Sequence, residues 1–474
     1  MTRSRPLFLA FALLAAGPSR VAYAQPAPAT AAPVGAQPDA LPPPPELPKP
    51  LVIDDPMLVA PPESPRTIAS WDDALALVRQ QSPDYVAGLQ SVLRAEAQTR
   101  LALSQLLPTV NGAVSYTHQF LTESFSLSTT GAGPTFQSPA ADVFGLAATL
   151  NVPLVNVRGI YAQSTAKRAA EAAKGTFEDT RRQIAVSLVH SMLATLASER
   201  ASELNRVGLR AALERLELAR TKVRFRQGTA LDVERAEQDV ASARSTLITG
   251  DESLLRSREA LGVALGSGVA VSAPVSLGLD SFEQAVARSC KMSTELENRP
   301  DVVAARKRVE VAERTVKDAW LMLAPSLAVQ SQVAYTSEAV LAPNTTWYVE
   351  GVLNIPIYDG GLAASTARDA RGAAEQARQT LASTRLNALV NVAQSQRAVS
   401  VIAATRDVAK TQRDLAKSID ARTREGYLHG LGTSLDLVTS AQSLRQAEIN
   451  LALLEFQVSE ARANAVLANA ECKY

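Results

Sequence analysis

The sequence predicts a mainly α-helical chain that also carries membrane β-barrel strands, built as one strand-pair and long-helix unit present twice. Three observations carry this. Landmarks of the first half recur in the same order in the second. Each half holds a long proline-free stretch with apolar residues three and four apart. Each such stretch follows two segments in which apolar and polar residues alternate.

Composition narrows the function classes. The 474 residues allow two or three ordinary domains, and 48 basic against 47 acidic side chains leave a net charge of +1. That balance gives no electrostatic footprint for nucleic acid or an anionic surface. Hydrophobic residues make up 46%, too many for a disordered chain, while aromatics at 5% favour long helices over aromatic-lined clefts. Three histidines and two cysteines leave little material for a metal site, so neither metal nor cofactor is expected. His118, His190 and His429 are far apart in the pattern and read as incidental. No phosphate-binding loop, paired-histidine zinc motif or nucleophile elbow is present, so no catalytic residue is expected.

Residues 1–24 read as a secretory signal, with Arg3 and Arg5 before the apolar stretch Leu7–Ala16 and a small-residue cleavage site at Ala22-Tyr23-Ala24. Gln25, not cysteine, follows the cut, so no lipid anchor is expected. Residues 25–66 read as an extended tether, because 14 of the 26 prolines fall in 25–65. No later window holds 18 consecutive apolar residues, which leaves a closed barrel as the only route through a bilayer.

The duplication spans 67–268 and 279–474. Ser82-Pro83-Asp84 recurs as Arg299-Pro300-Asp301 and Leu106-Leu107-Pro108 as Leu323-Ala324-Pro325, both 217 residues on. Asn151-Val152-Pro153 recurs as Asn354-Ile355-Pro356, and Leu231-Asp232-Val233 as Leu435-Asp436-Leu437. Pro108 to Pro153 is 45 residues against 31 for Pro325 to Pro356, whereas Pro153 to Asp232 is 79 against 80 for Pro356 to Asp436. A loop changed length while the stretch after it did not, so that stretch acts as a ruler. It is helical from about Gly159 to Gln227 and from about Gly361 to Glu425. A helix of about 66 residues is roughly 100 Å long and needs partners along its length. Shorter helical tracts flank it: Pro83–Leu107 and Asp232–Leu265 in the first half, Asp301–Ala324 and Asp436–Cys472 in the second.

Strands are expected at about 109–121, 142–154, 326–338 and 345–357. Val110, Val114, Tyr116 and Phe144, Leu146, Leu150 occupy alternate positions in the first pair, as do Val329, Val333, Tyr335 and Trp347, Val349, Leu353 in the second. One apolar and one hydrophilic face suit lipid on one side and water on the other. Four strands cannot close a barrel, so copies must combine. Two chains would give eight strands with a filled interior, and three would give twelve with room for a lumen.

With these landmarks in order, the chain resembles the TolC-like outer membrane efflux proteins, the outer membrane factors, over essentially all of 67–474. The resemblance rests on Trp71-Asp72-Asp73-Ala74-Leu75, on the junction Asn354-Ile355-Pro356-Ile357-Tyr358-Asp359-Gly360-Gly361, and on Arg424-Glu425-Gly426-Tyr427 through Ser434-Leu435-Asp436. It implies a homotrimer in the outer membrane of a Gram-negative bacterium, with a twelve-stranded barrel in outer-membrane lipid continuous with an α-helical periplasmic tunnel. It also implies two protein partners, a periplasmic adaptor (membrane fusion) protein and an inner-membrane pump of RND or ABC type.

The resemblance further implies a gate where the long helices turn back. Asp436 matches a family position that rings the tunnel at its narrowest point, and Thr439 stands where a second acidic ring would be; the other reading of Asp436 is a helix N-terminal carboxylate that stabilises the dipole, and the two roles are compatible. Asp232 and Tyr427 match latch positions. Gly432 replaces an expected basic partner, for which Arg226, Arg422 and Arg424 are the candidate substitutes. Phe225 to Asp232 is 7 residues against 9 for Tyr427 to Asp436, which reads as a shorter first turn. Arg226, Gly228, Thr229, Gly430, Gly432 and Thr433 are the expected adaptor-docking tips. Cys290 and Cys472, on the helix before Pro300 and at the end of the last helix, are either disulfide-bonded or two buried thiols.

Overall fold

A computed structural model describes residues 53–120, 125–126, 135–136, 142–273, 279–293, 295–337 and 343–474. The expected signal segment and most of the proline-rich stretch lie outside these residues. The chain order is β1 (Arg66–Thr67), α1 (Trp71–Gln81), α2 (Pro83–Ser104), β2 (Thr109–His118), β3 (Phe125–Ser126), β4 (Thr135–Phe136), β5 (Asp142–Asn156), α3 (Val157–Arg224), α4 (Ala230–Leu265), β6 (Val271–Ser272), α5 (Leu279–Ser289) and β7 (Cys290–Met292). The second half continues with α6 (Pro300–Trp320), β8 (Ser326–Thr336), β9 (Thr345–Asn354), α7 (Leu362–Leu428), α8 (Ser434–Leu467) and β10 (Ala470–Cys472).

The long helices α3 and α7 have 68 and 67 residues, each roughly 100 Å of helix. Their starts are fixed locally. Asn156 accepts the Gly159 N–H at 2.8 Å ahead of α3. Asp359 accepts the Gly361 and Ala363 N–H groups at 2.9 and 2.7 Å ahead of α7, with Gly361 at φ 85° making the turn. Helices α2 and α4 both pack on α3, and α6 and α8 both pack on α7 and on α3. The lateral order across the wall is therefore α2 or α4, then α3, then α6 or α8, then α7.

Above the helices lies a four-stranded antiparallel sheet in the order β2-β5-β8-β9. The register places Val110 opposite Leu150, Val114 opposite Leu146 and Tyr116 opposite Phe144, then Leu146 opposite Tyr335 and Val333 opposite Trp347. These side chains share one face and are exposed in the protomer, while Asn111, Thr149, Gln332 and Glu350 line the other. A register shift falls between Pro153 and Val155, where proline offers no N–H to the ladder. Strands β2 and β9 end the sheet, each with one edge unpaired among the described residues. The strands differ a little from expectation. β2 stops at His118, β5 runs on to Asn156, and Ile355 and Ile357 follow β9 outside the sheet.

Where the two halves meet at mid-height, a core forms around Trp71, Val78, Leu188, Met192, Leu193, Leu261, Phe282 and Leu467. The Trp71 indole donates to Ser289 Oγ at 2.9 Å and meets the Phe282 ring edge-on at 5.5 Å. Cys290 and Cys472 are joined, opposite each other in the β7–β10 pair. This corrects the expected positions: Cys290 begins a strand after α5, and α8 ends at Leu467 so that Cys472 lies in β10. The segment from Asn469 turns back toward β7, where the Asn469 side chain donates to Ser293 O at 2.7 Å.

The end of the expected tether is also structured. Arg258 donates to Pro62 O at 3.0 Å, and Arg244 pairs with the buried Asp55 at 2.7 Å. Met57 and Leu58 pack on the apolar seam of α3 and α4 around Leu209, Leu216, Val240 and Leu247. Residues 55–67 are thus a strap along the first helical hairpin. The Arg244 guanidinium and the Met57 N–H hold the Asp55 carboxyl below the usual range, so this contribution is present at neutral pH and lost as pH falls through the lowered value. Asp55→Ala is expected to loosen the strap by about 1 kcal/mol. The check is faster limited proteolysis within 55–66 with the hairpin left intact.

Candidate functional site: the helix tips

The far ends of α3/α4 and α7/α8 turn through five residues each, 225–229 and 429–433. The two turns are built alike. Gln227 N–H bonds to Lys222 O at 2.8 Å, as Leu431 N–H bonds to Gly426 O at 2.8 Å. Gly430 takes a left-handed φ of 78°, and Arg226 takes the same region at 59°. The structural counterpart of Tyr427 is therefore Val223, not Phe225, and the first turn is no shorter than the second. In sequence the two are hard to tell apart, because Val223 in the last turn of α3 and Phe225 just past its end are both apolar.

Each turn ends in a reciprocal cap. Thr229 and Asp232 exchange hydrogen bonds, with Thr229 N–H and Oγ1–H donating to Asp232 Oδ2 at 2.9 Å each. Thr433 N–H and Oγ1–H donate to Asp436 Oδ2 at 3.1 and 2.7 Å, and Asp436 N–H returns to Thr433 Oγ1 at 3.2 Å. The Thr433 hydroxyl and N–H hold the Asp436 carboxyl below its ordinary range. Burial pushes Asp232 up, but hydrogen bonds involving Ser434 and Thr229 outweigh it and leave that carboxyl lowered too. Both are anionic at neutral pH. Asp436 and Thr439 are exposed, one helical turn apart on α8, and the Thr439 hydroxyl donates to its own helix at Leu435 O, 2.9 Å.

Asp232 and Tyr427 stand near enough for the carboxylate charge to act on the phenol. Burial raises the Tyr427 phenol and the Asp232 charge raises it further. The basic group on Tyr427 is Lys222, whose ammonium lies 3.8 Å from the ring centroid and donates to Tyr427 O at 2.5 Å. Arg235 reaches across to Ser434 Oγ at 3.2 Å. Arg226, Arg422 and Arg424 form no ion pair with a described residue. Lys222 was missed because a lysine in a helix's last turn is ordinary dipole chemistry; only the folded contact of α3 with the end of α7 singles it out. Two histidines are also paired: His118 with Asp142 at 2.7 Å beside Tyr116 at the sheet's far end, and His190 with Glu460 at 2.7 Å between α3 and α8.

The family described as "Outer membrane efflux protein" matches residues 74–267 and 292–468, one copy in each half. The chain belongs to the outer membrane efflux protein family. A curated relative, the fusaric acid resistance protein FusA of Burkholderia cepacia, is 26% identical over 304 residues, covering 61% of this chain and 56% of that protein. The chain thus spans a little over half the length of that relative. Among solved structures, the outer membrane protein VceC of Vibrio cholerae aligns with a TM-score of 0.68 at 18% identity, covering 84% of this chain and 95% of that one. The CmeC outer membrane channel of Campylobacter jejuni aligns at 0.71 and 15%, covering 84% of each. The open-state MtrE outer membrane channel of Neisseria gonorrhoeae aligns at 0.68 and 17%, covering 86% and 93%. At these identities the alignments establish the duplicated helix-and-strand fold. Family membership places the chain in the outer membrane.

Proposed function

We propose that the protein is the outer-membrane exit channel of a tripartite efflux system, a passive conduit without catalysis. One observation carries the reading: the sheet and the helical wall are incomplete along the same two flanks. β2 leads out of α2 at one flank and β9 leads into α7 at the other, each with one edge unpaired among the described residues. On the same flanks, exposed apolar residues run along α7 (Val401, Val408, Leu415) and along α2 and α4 (Val86, Leu93, Ile248). Three copies joined flank to flank give twelve strands, an apolar belt toward lipid and a polar lumen, with a helical tunnel below. A single copy would leave its edges as aggregation sites.

The helix tips then form the periplasmic end, where Arg226, Gly228, Thr229, Gly430, Gly432 and Thr433 face an adaptor that couples the channel to an RND or ABC pump. The relative named for fusaric acid resistance favours a small organic toxin as cargo over an exported protein. Three copies of Asp436 near the axis make the narrowest ring, which favours cations. Asp436→Asn, which keeps an oxygen for Thr433 while removing the charge, is expected to relieve divalent-cation block and raise conductance in planar bilayers, as is Asp436→Ala. Unchanged block in both variants removes Asp436 from the ring.

A further inference from the structure

Above the tips, the seam between the hairpin α3/α4 and the hairpin α7/α8 holds a buried charged cluster. Asp239 of α4, with its side chain fully buried, accepts from Arg215 of α3 at 3.1 and 2.5 Å and from Gln442 of α8 at 3.0 Å. Arg445, also on α8, feels the Asp239 charge as well, and burial lowers its pKa. Its side chain crosses α3 at Gly208, where an added Cβ would stand 2.5 Å from Arg445 Cδ. Glycine here is a notch for the arginine, in a helix that otherwise favours residues with side chains. Asp239 lies nine residues into α4, about 14 Å from the turn.

A carboxylate this deeply buried is retained only with its cations in place, and it ties three helices from both hairpins. The two hairpins must part if the tip end of the tunnel is to widen, and this cluster is what they would have to break. We propose that Arg215, Asp239, Gln442 and Arg445 form a second closure point of the channel, distinct from the tip residues Asp232, Tyr427 and Asp436, and that Gly208 positions Arg445 within it. The inference rests on the exit-channel reading.

The test is single-channel conductance of the full-length protein in planar bilayers, with trimer assembly and thermal stability followed in parallel. Asp239→Asn keeps shape and removes the charge. Gly208→Ala leaves all four polar side chains chemically intact, displaces Arg445 and raises the helix propensity of α3. Both variants are expected to show several-fold higher conductance or open probability. Gly208→Ala should do so without a lower melting temperature, a combination that a merely structural role does not give. If Asp239→Asn fails to assemble, Gly208→Ala decides alone. Assembled variants that conduct like the parent protein overturn the second closure point. A parent protein and variants that all open no pore overturn the channel reading itself.

Discussion

Lys222→Ala is expected to leave the channel leaky at its periplasmic end. The lysine carries two interactions at once, over the Tyr427 ring at 3.8 Å and to the Tyr427 carbonyl at 2.5 Å. That carbonyl lies in the last turn of α7, where the helix dipole favours a cation. Tyr427 is buried, so the contact is shielded from competing water. Together these are worth about 2 kcal/mol per protomer, which shifts a closed-to-open equilibrium roughly 30-fold. The measurement is open probability in planar bilayers, with uptake of a bulky antibiotic by cells as the second readout. Lys222→Arg should retain most of the closure, because a guanidinium also sits well over an aromatic ring. If Lys222→Ala stays closed, the Lys222–Tyr427 contact is not part of the gate.

Trp71→Ala is expected to be the most damaging single substitution for stability. Trp71 is the largest fully buried side chain, at 1% exposure. It fills the space between α1, α5 and the end of α4, and its indole N–H is satisfied by Ser289. Truncation removes the apolar contacts, opens a cavity and leaves the Ser289 oxygen without its indole donor, at a cost of about 3–5 kcal/mol. The effect should appear as a lower melting temperature of the oligomer before any loss of strand content, since the sheet lies far from this core. Trp71→Phe keeps most of the volume and should lose far less. A Trp71→Ala oligomer as heat-resistant as the parent would show that the mid-height core does not hold the two halves together.

The long-range plan was legible because it is written in periods. Alternation in Val110–Tyr116 and Trp347–Leu353 gave the strand faces, and the fixed 79 and 80 residue spacings gave the rulers that become α3 and α7. Local chemistry that ends elements was harder to read. Cys472 continues a helical composition yet sits in β10, because its partner strand β7 lies more than 170 residues earlier in the chain. The strap has the composition of a free tether, since proline content gives backbone conformation but not the groove it lies in; its partners, Arg244 for Asp55 and Arg258 for Pro62, lie 189 and 196 residues away. Lys222, Arg215, Asp239 and Arg445 were invisible for a related reason. Each is an ordinary helix residue in sequence, and each gains its role from a helix of the other hairpin or from the far side of its own.

The most direct test of the central claim is native mass spectrometry of the full-length protein released from outer membranes in mild detergent. The expected result is a single assembly of three copies, because three four-stranded sheets pair β2 of one protomer with β9 of the next. A mass of one copy, released without detergent, would contradict it.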